Sequence, residues 1–280
     1  MKTLDGAVAV VTGAGSGIGR ALAIELASRG CDLALCDVDD VGLAQTRALL
    51  PPQRRATTSH VDVANLADMT RFRDEVASDF GRVSLLVNNA GVSLYGSFDE
   101  VSITDLEWIF GVNFWGSVYG TKLFLPMLAR EPQANIVTVS SLFGIIAPPL
   151  QLGYSASKFA VRGFAESLRH ELGASSVRVT VVHPGGIKTN IARSARRGAT
   201  AEMSRFTRDI AAFEKSLVMP PDRAARAIAK AVLRDAPRLV LGIDARIVEL
   251  IARFFPARYF SVLRPLLDPK GIFTRRREPT

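Results

Sequence analysis

An apolar run that stops on a glycine-rich turn is the feature that most narrows the folds open to this chain. Residues 7–12 read Ala-Val-Ala-Val-Val-Thr, Gly13-Ala14-Gly15-Ser16-Gly17-Ile18-Gly19 follows at once, and an amphipathic helical pattern runs on to about Ser28. A short continuous apolar run suits a strand covered on both faces of a parallel sheet. Glycines let the backbone turn sharply and approach a pyrophosphate, whose charge meets the helix N-terminus. No Lys-Ser/Thr pair follows the glycines, since Arg20-Ala21 stands there, so this is not a P-loop. The spacing is G-x-x-x-G-x-G rather than the more usual G-x-G-x-x-G, and a tight strand-to-helix turn without a ligand remains the plainer alternative.

The alternation continues along the chain. Asp32 to Cys36 is a second apolar strand ending in Asp37, eighteen residues after Gly19, and residues 57–61 form a third ending in Asp62-Val63. Val83 to Val87 runs into Asn88-Asn89-Ala90-Gly91, Ala134 to Val139 into Ser140-Ser141, and Val177 to His183 into Pro184-Gly185; a short last strand covers Arg238 to Leu241. Helical patterns lie between them, one long, from Ile103 to about Arg130, with Asn113 inside it. No internal repeat, low-complexity tract or Gly/Pro/Ser linker interrupts the pattern. With 280 residues and 48% apolar content, the expectation is an α/β fold. It is a single-domain Rossmann-type doubly wound parallel sheet with helices on both faces. That catalytic domain spans 1–245, and an amphipathic helical extension occupies 246–280.

Composition excludes several classes. The net charge is +8, which alone would admit nucleic acid, anionic lipid or an acidic substrate. The arginines are scattered, dense only at 193–208 and at Arg275-Arg276-Arg277, with no helix-turn-helix or zinc-ligand spacing, so no nucleic-acid partner is expected. Cys31 and Cys36 make no disulfide framework and are expected as buried thiols. The first residues show no secretory signal, which together with the cysteines points to the cytoplasm. His60, His170 and His183 lack partners at ligand spacing, so no metal is expected.

The chemistry gathers around Tyr154-Ser155-Ala156-Ser157-Lys158, with Ser141 thirteen residues ahead of the tyrosine. Positions i and i+4 share a helix face, and an ammonium beside a phenol favours the phenolate. Tyr154 is then expected to titrate below its ordinary value and to exchange protons near neutrality. An exposed helical pair is the alternative for such a motif alone. Asp37 can accept hydrogen bonds from adenosine ribose hydroxyls and repel a 2′-phosphate, and no Arg or Lys stands beside it at Val38, Ala14 or Ser16. This points to NAD rather than NADP; a helix N-cap role is the alternative, though Asp39 and Asp40 are equally able to cap. Asn88 and Asn89 lie where open α/β sheets bind ligands. Asn113 is either buried with partners or exposed on its helix.

These residues together resemble the short-chain dehydrogenases/reductases over roughly residues 5–245. The matching elements are Thr12-Gly13-x-x-x-Gly17-Ile18-Gly19, Asp62, Asn88-Asn89-Ala90-Gly91, Asn113, Ser141, Tyr154-x-x-x-Lys158 and Pro184-Gly185-x-x-x-Thr189. The resemblance implies a nicotinamide-dependent alcohol/carbonyl oxidoreductase, commonly a homodimer or homotetramer. Tyr154 would be the general acid/base and Ser141, rather than Ser140, would hydrogen-bond the substrate oxygen. Lys158 would lower the Tyr154 pKa and hold the nicotinamide ribose, and Asn113 would hold a water linking Lys158 to solvent. Gly13, Ser16, Gly17, Ile18, Gly19, Asp37 and Asn88 to Gly91 would contact the cofactor. Asp62 and Val63 would meet the adenine, and Pro184, Gly185, Ile187 and Thr189 the nicotinamide end.

Two stretches are this chain's own. Residues 190–219 are expected to form a lid, carrying Arg193, Arg196, Arg197, Arg205 and Arg208. It is either a solvated basic helix or a surface that meets an anionic carrier such as an acyl thioester. Leu142, Phe143, Ile145, Ile146, Leu150 and Leu152 are expected to wall the pocket, suiting a lipophilic alcohol or ketone. In the tail, Ile247, Leu250, Ile251, Phe254 and Phe255 share one helix face and Arg246, Glu249 and Arg253 another. The extension is too polar to span a membrane. It packs on its own or a partner subunit, covers a neighbour's pocket, or lies through 246–267 in a membrane interface. Residues 273–280 are expected to fray. Two other functions remain open: an NADPH-dependent 3-oxoacyl thioester reductase, and an NAD-binding scaffold without turnover.

Overall fold

The computed structural model describes residues 1–267, and the expectation for 273–280 lies outside them. The elements run β1 (Val8–Thr12), α1 (Gly17–Ser28), β2 (Asp32–Asp37), α2 (Asp40–Ala48), β3 (Ala56–His60), α3 (Leu66–Phe80) and β4 (Leu85–Asn88). Next come β5 (Leu94–Tyr95), α4 (Ile103–Phe110), α5 (Gly116–Leu128), β6 (Ala134–Val139), α6 (Leu152–Glu171) and β7 (Val177–Pro184). The chain goes on through β8 (Arg196–Arg197), α7 (Met203–Glu214), α8 (Pro221–Leu233), β9 (Arg238–Leu241), α9 (Ile243–Phe254) and α10 (Tyr259–Leu267).

Seven strands make one sheet in the order β3-β2-β1-β4-β6-β7-β9, and every neighbouring pair is parallel. The inner strands are buried on both faces, as their unbroken apolar runs require: β1, β4 and β6 are buried along their whole length. β3 is the exception, Ala-Thr-Thr-Ser-His, a partly exposed edge strand that begins one residue before the expected position. On one face α1, α2 and α8 cover the sheet through Leu22, Leu26, Leu43, Ile228 and Val232. On the other α3, α5 and α6 do so through Met69, Phe72, Phe124 and Ala165. Fully burying a Leu or Phe contributes roughly 1.5–3 kcal/mol, so these two layers carry the fold. Cys31 joins the first layer and Cys36 the second, both as free thiols, pointing to opposite faces of the sheet.

The expected single helix from Ile103 to Arg130 is two helices joined by a π-helical turn, Gly111–Trp115, with the fully buried Asn113 at its centre. The Asn113 side chain explains the interruption. Its Oδ1 accepts from Val92 N at 2.8 Å, and its Nδ2 donates to Val92 O at 3.1 Å and Ser157 Oγ at 2.9 Å. The extra residue in a π turn re-aims one side chain, and here it reaches the segment after β4. The order of strands reverses between β1 and β4, so a crevice opens at the carboxyl ends of these strands, where open α/β sheets bind ligands.

Candidate active site

A cavity of about 1070 Å³ lies over the carboxyl ends of the strands, large for a small-molecule site. Its walls include Gly13, Ser16, Gly17, Ile18, Asp37, Asp62, Val63, Asn89, Ala90 and Gly91 at one end. Ser141, Tyr154 and Lys158 follow, with Pro184, Gly185, Ile187 and Thr189 beside them. Gly19 and Asn88, expected as cofactor contacts, and Asn113, expected to hold a water for Lys158, stand behind that wall. A Cβ on Gly19 would sit 2.0 Å from Gly13 O, so its missing side chain serves the packing of the turn. Asn88 donates through Nδ2 to Thr121 Oγ1 at 2.9 Å and tethers β4 to α5. Asn113 holds Val92 beside Gly91, where a Cβ would meet Lys158 Nζ at 3.0 Å and Asn113 Oδ1 at 3.2 Å.

The glycine turn fits a dinucleotide. Gly13 and Gly17 have φ of +66° and +53°, in the left-handed region that favours glycine. Ser16, the N-cap of α1, makes no side-chain cap, so the first amides of the helix are left for a ligand. Asn89 Nδ2 donates to Thr12 O at 2.9 Å and Gly13 O at 3.1 Å, fixing the turn from the neighbouring strand. The N-cap of α2 is Asp39, whose carboxylate accepts from Gly42 N at 2.9 Å. Asp37 is therefore not the cap. It accepts from Gly15 N at 2.8 Å and from Asp39 N at 3.1 Å, with its side chain at the cavity wall.

At the other end, α6 places Tyr154 in its first turn and Lys158 one turn later, and both are buried. Ser140 and Ser141 divide their tasks. Ser140 Oγ donates to Lys158 O at 2.8 Å and locks β6 to α6. Ser141 Oγ accepts from Phe143 N at 3.0 Å and is hydrogen-bonded with Tyr154. The expected lowering of the Tyr154 pKa is not what the protein does by itself. Burial raises it, and the hydrogen bond with Ser141 only partly offsets this. The Lys158 ammonium lies 5.8 Å from the Tyr154 ring centroid and donates to Val139 O at 3.1 Å. Its own pKa is pushed down to about 8 by burial, which weakens the charge that was expected to act on the phenol.

A histidine without ligand-spaced partners in the chain also stands beside this site. His183, fully buried at the end of β7, has Nδ1 at 3.1 Å from Ser141 O. Burial pushes its pKa down to about 4, so the ring is neutral near pH 7 and Nδ1–H donates to that carbonyl. It thereby holds the backbone of Ser141 from beneath. No local signal announces this, because the two residues are forty-two positions apart.

The lid is present and tied to the body of the domain. β8 pairs with β5, Leu94 opposite Arg196 and Tyr95 opposite Arg197. Tyr95 donates to Asp209 Oδ2 at 2.5 Å, and both line the cavity. Arg205 pairs with Glu100, whose carboxyl is held down to about 2: burial would raise it, but the Ser97 amide and Arg205 outweigh that. Arg196 lies 3.5 Å over the Trp108 ring and pairs with Asp105 at 3.5 Å, Arg193 pairs with Glu214 at 2.8 Å, and Arg208 with Asp209 at 3.1 Å. Arg196 and Arg205 thus tie the lid to the body of the domain, while the pairs of Arg193 and Arg208 lie within the lid itself. Leu142, Phe143 and Leu150 line the cavity with Trp108, Ile191, Phe213 and Leu217. Ile145 and Ile146 pack on the tail instead, and Leu152 is exposed.

The tail closes on its own domain. Val248 and Leu263 bury against Ile146, Ala147 N donates to Tyr259 Oη at 3.0 Å, and Arg238 pairs with Glu249 at 2.7 Å. Asp244, Ile247 and Val248 of α9 complete the cavity wall. No helix among the described residues is long and apolar enough to cross a membrane.

Comparison with known proteins agrees with this geometry. The family model for the short chain dehydrogenases matches residues 7–200. A Mycobacterium tuberculosis protein, SadH, assigned as an oxidoreductase, is 42% identical over 263 residues, 92% of this chain and 94% of that protein. Among solved structures, a short chain dehydrogenase/reductase from Burkholderia phymatum in complex with NAD superposes with a TM-score of 0.86. It is 32% identical over 91% of this chain and 96% of its own. An alcohol dehydrogenase from the archaeon Thermococcus sibiricus, complexed with 5-hydroxy-NADP, superposes with a TM-score of 0.72 at 26% identity, over 85% of this chain and 96% of its own.

Proposed function

Since the chain belongs to the short-chain dehydrogenase/reductase family of oxidoreductases, we propose that it interconverts a hydrophobic secondary alcohol and its ketone with a nicotinamide dinucleotide, NAD in preference to NADP. One observation carries this: a single cavity joins an uncapped glycine turn and Asp37 to Ser141, Tyr154 and Lys158, under an apolar lid. The nicotinamide, when bound, gives or takes the hydride. The chain's own residues do the rest. Tyr154 Oη gives a proton to the substrate oxygen in reduction and takes it back in oxidation, and Ser141 Oγ holds that oxygen by a hydrogen bond. Burial keeps the phenol protonated near neutral pH, the state a donor needs. Lys158, with a pKa of about 8, holds or releases a proton close to neutrality one turn away. His183 and Asn113 are positioning residues, the first under Ser141 and the second under Val92.

Asp37 supports NAD, since its carboxylate faces the cavity and repels a ribose 2′-phosphate. The lining by Trp108, Leu142, Phe143, Leu150, Ile191 and Phe213 supports a lipophilic substrate. The test is turnover of a panel of lipophilic secondary alcohols with NAD and, in parallel, NADP. Tyr154→Phe is expected to lower kcat/KM by roughly 10²–10⁴ while leaving cofactor binding intact. Undiminished turnover in the Phe variant would overturn the proton-transfer role, and turnover with NADP alone would overturn the reading of Asp37.

A further inference from the structure

The outward face of α9 is apolar where a solvated helix would be polar. Ile243, Ile247, Leu250 and Phe254, spaced i, i+4, i+7 and i+11, form one stripe along the helix. They are 77%, 49%, 54% and 72% exposed. The opposite face is already used: Ala245 and Val248 are buried against the domain. Soluble monomers seldom leave a contiguous patch of this kind uncovered. Phe255, in the turn after the helix, is 52% exposed as well. Exposed arginines accompany it, Arg246 and Arg253 along one flank of the stripe and Arg258 beyond its end.

Two further observations say what covers this face. Arginines flanking an apolar stripe suit a surface that is both apolar and anionic, and the chain carries an excess of +8 to match it. The stripe also runs into the mouth of the cavity. Ile247 on α9 and Phe213 on α7 both line the cavity, and both are more than one third exposed. We propose that the exposed stripe of α9 docks on an anionic lipid surface, with α9 lying in the interface and the mouth of the cavity turned towards the bilayer. Phe254 and Leu250 enter the boundary between headgroups and acyl chains, while Arg246, Arg253 and Arg258 remain among the phosphates. A lipophilic substrate then passes from the bilayer to Tyr154 without crossing water. Docking itself does not rest on the proposed reaction.

The experiment is flotation of the full-length chain with vesicles of phosphatidylcholine alone and of phosphatidylcholine mixed with phosphatidylglycerol. The wild type is expected to float with the mixed vesicles and to be released by salt. The double variant Leu250→Asp/Phe254→Asp, at exposed positions outside the cavity wall, is expected to lose binding by roughly a hundredfold, about tenfold per apolar anchor removed. Arg246→Gln/Arg253→Gln is expected to lose roughly fivefold per arginine and to bind both vesicle types alike. Thermal melting of each variant checks that the fold is kept. A wild type that stays unbound, or an aspartate variant that floats equally well, overturns the proposal. So does light scattering in lipid-free solution if the wild-type mass falls on Leu250→Asp/Phe254→Asp, since a second copy of the chain then covers the face.

Discussion

Replacing Lys158 by methionine should separate the chemical use of that residue from its effect on stability. The lysine is buried, and its pKa falls from the ordinary 10.5 to about 8. For a base whose folded pKa lies below its unfolded one, the unfolded chain holds more protons between those values, so stability rises with pH across that window. At about 1.4 kcal/mol per tenfold, the charged lysine costs the cofactor-free fold roughly 3 kcal/mol at pH 7, and nothing above about pH 10.5. Lys158→Met removes that cost and also the hydrogen bond to Val139 O at 3.1 Å, a loss of about 1 kcal/mol. The variant should therefore be more stable than the wild type by about 2 kcal/mol at pH 7 and less stable by about 1 kcal/mol near pH 10.5. Urea unfolding of both proteins over this pH range gives the difference directly. The buried Cys31 and Cys36 thiols, raised by desolvation, lower stability above their ordinary pKa in both proteins and drop out of the difference. A difference that stays flat between pH 7 and 10.5 would refute the claim that burial depresses this lysine. Turnover should be lost in the variant at every pH.

Three other outcomes follow from particular contacts. Asp37→Ser should raise NADP use relative to NAD by roughly 10–100-fold in kcat/KM, since a carboxylate facing a 2′-phosphate is removed; an unchanged ratio would place cofactor choice elsewhere. Gly19→Ala, whose Cβ would meet the Gly13 carbonyl at 2.0 Å, should distort the glycine turn and abolish cofactor binding by fluorescence titration, with a fall in Tm. Arg205→Ala leaves the Glu100 carboxylate, 4% exposed, without its guanidinium and loosens the lid. Proteolysis within 198–216 should become faster and KM should rise, with kcat changing less.

The strands were legible because a parallel sheet buried on both faces forces continuous apolar runs, and β1, β2, β4, β6 and β7 show them; their order in the sheet came only from the structure. The catalytic candidates were legible for a related reason. Residues at the ends of such strands, Asp37, Ser141 and Pro184, and on one face of one helix, Tyr154 and Lys158, are placed by local periodicity. What escaped was everything that depends on which distant side chains meet. The choice of Ser141 over Ser140 was already made from the chain, but not that Ser140 locks β6 to the Lys158 carbonyl or that His183 holds the Ser141 backbone. Helical periodicity over 103–130 hides the π turn, which exists because Asn113 must reach Val92.

The chain by itself determined the α/β alternation, the glycine turn at the head of α1 and the one-turn separation of Tyr154 from Lys158, because hydrophobic period and glycine's backbone freedom act locally. Only the tertiary structure decided the electrostatics. Desolvation depends on the atoms that close around a group, so whether Lys158 is a full charge and whether Tyr154 is acidic followed from burial that no spacing reports. The pairing of the lid arginines was decided in the same way: that Arg205 meets Glu100, Arg196 meets Asp105 and Arg193 meets Glu214 depends on folding that brings residues from different elements within hydrogen-bond distance.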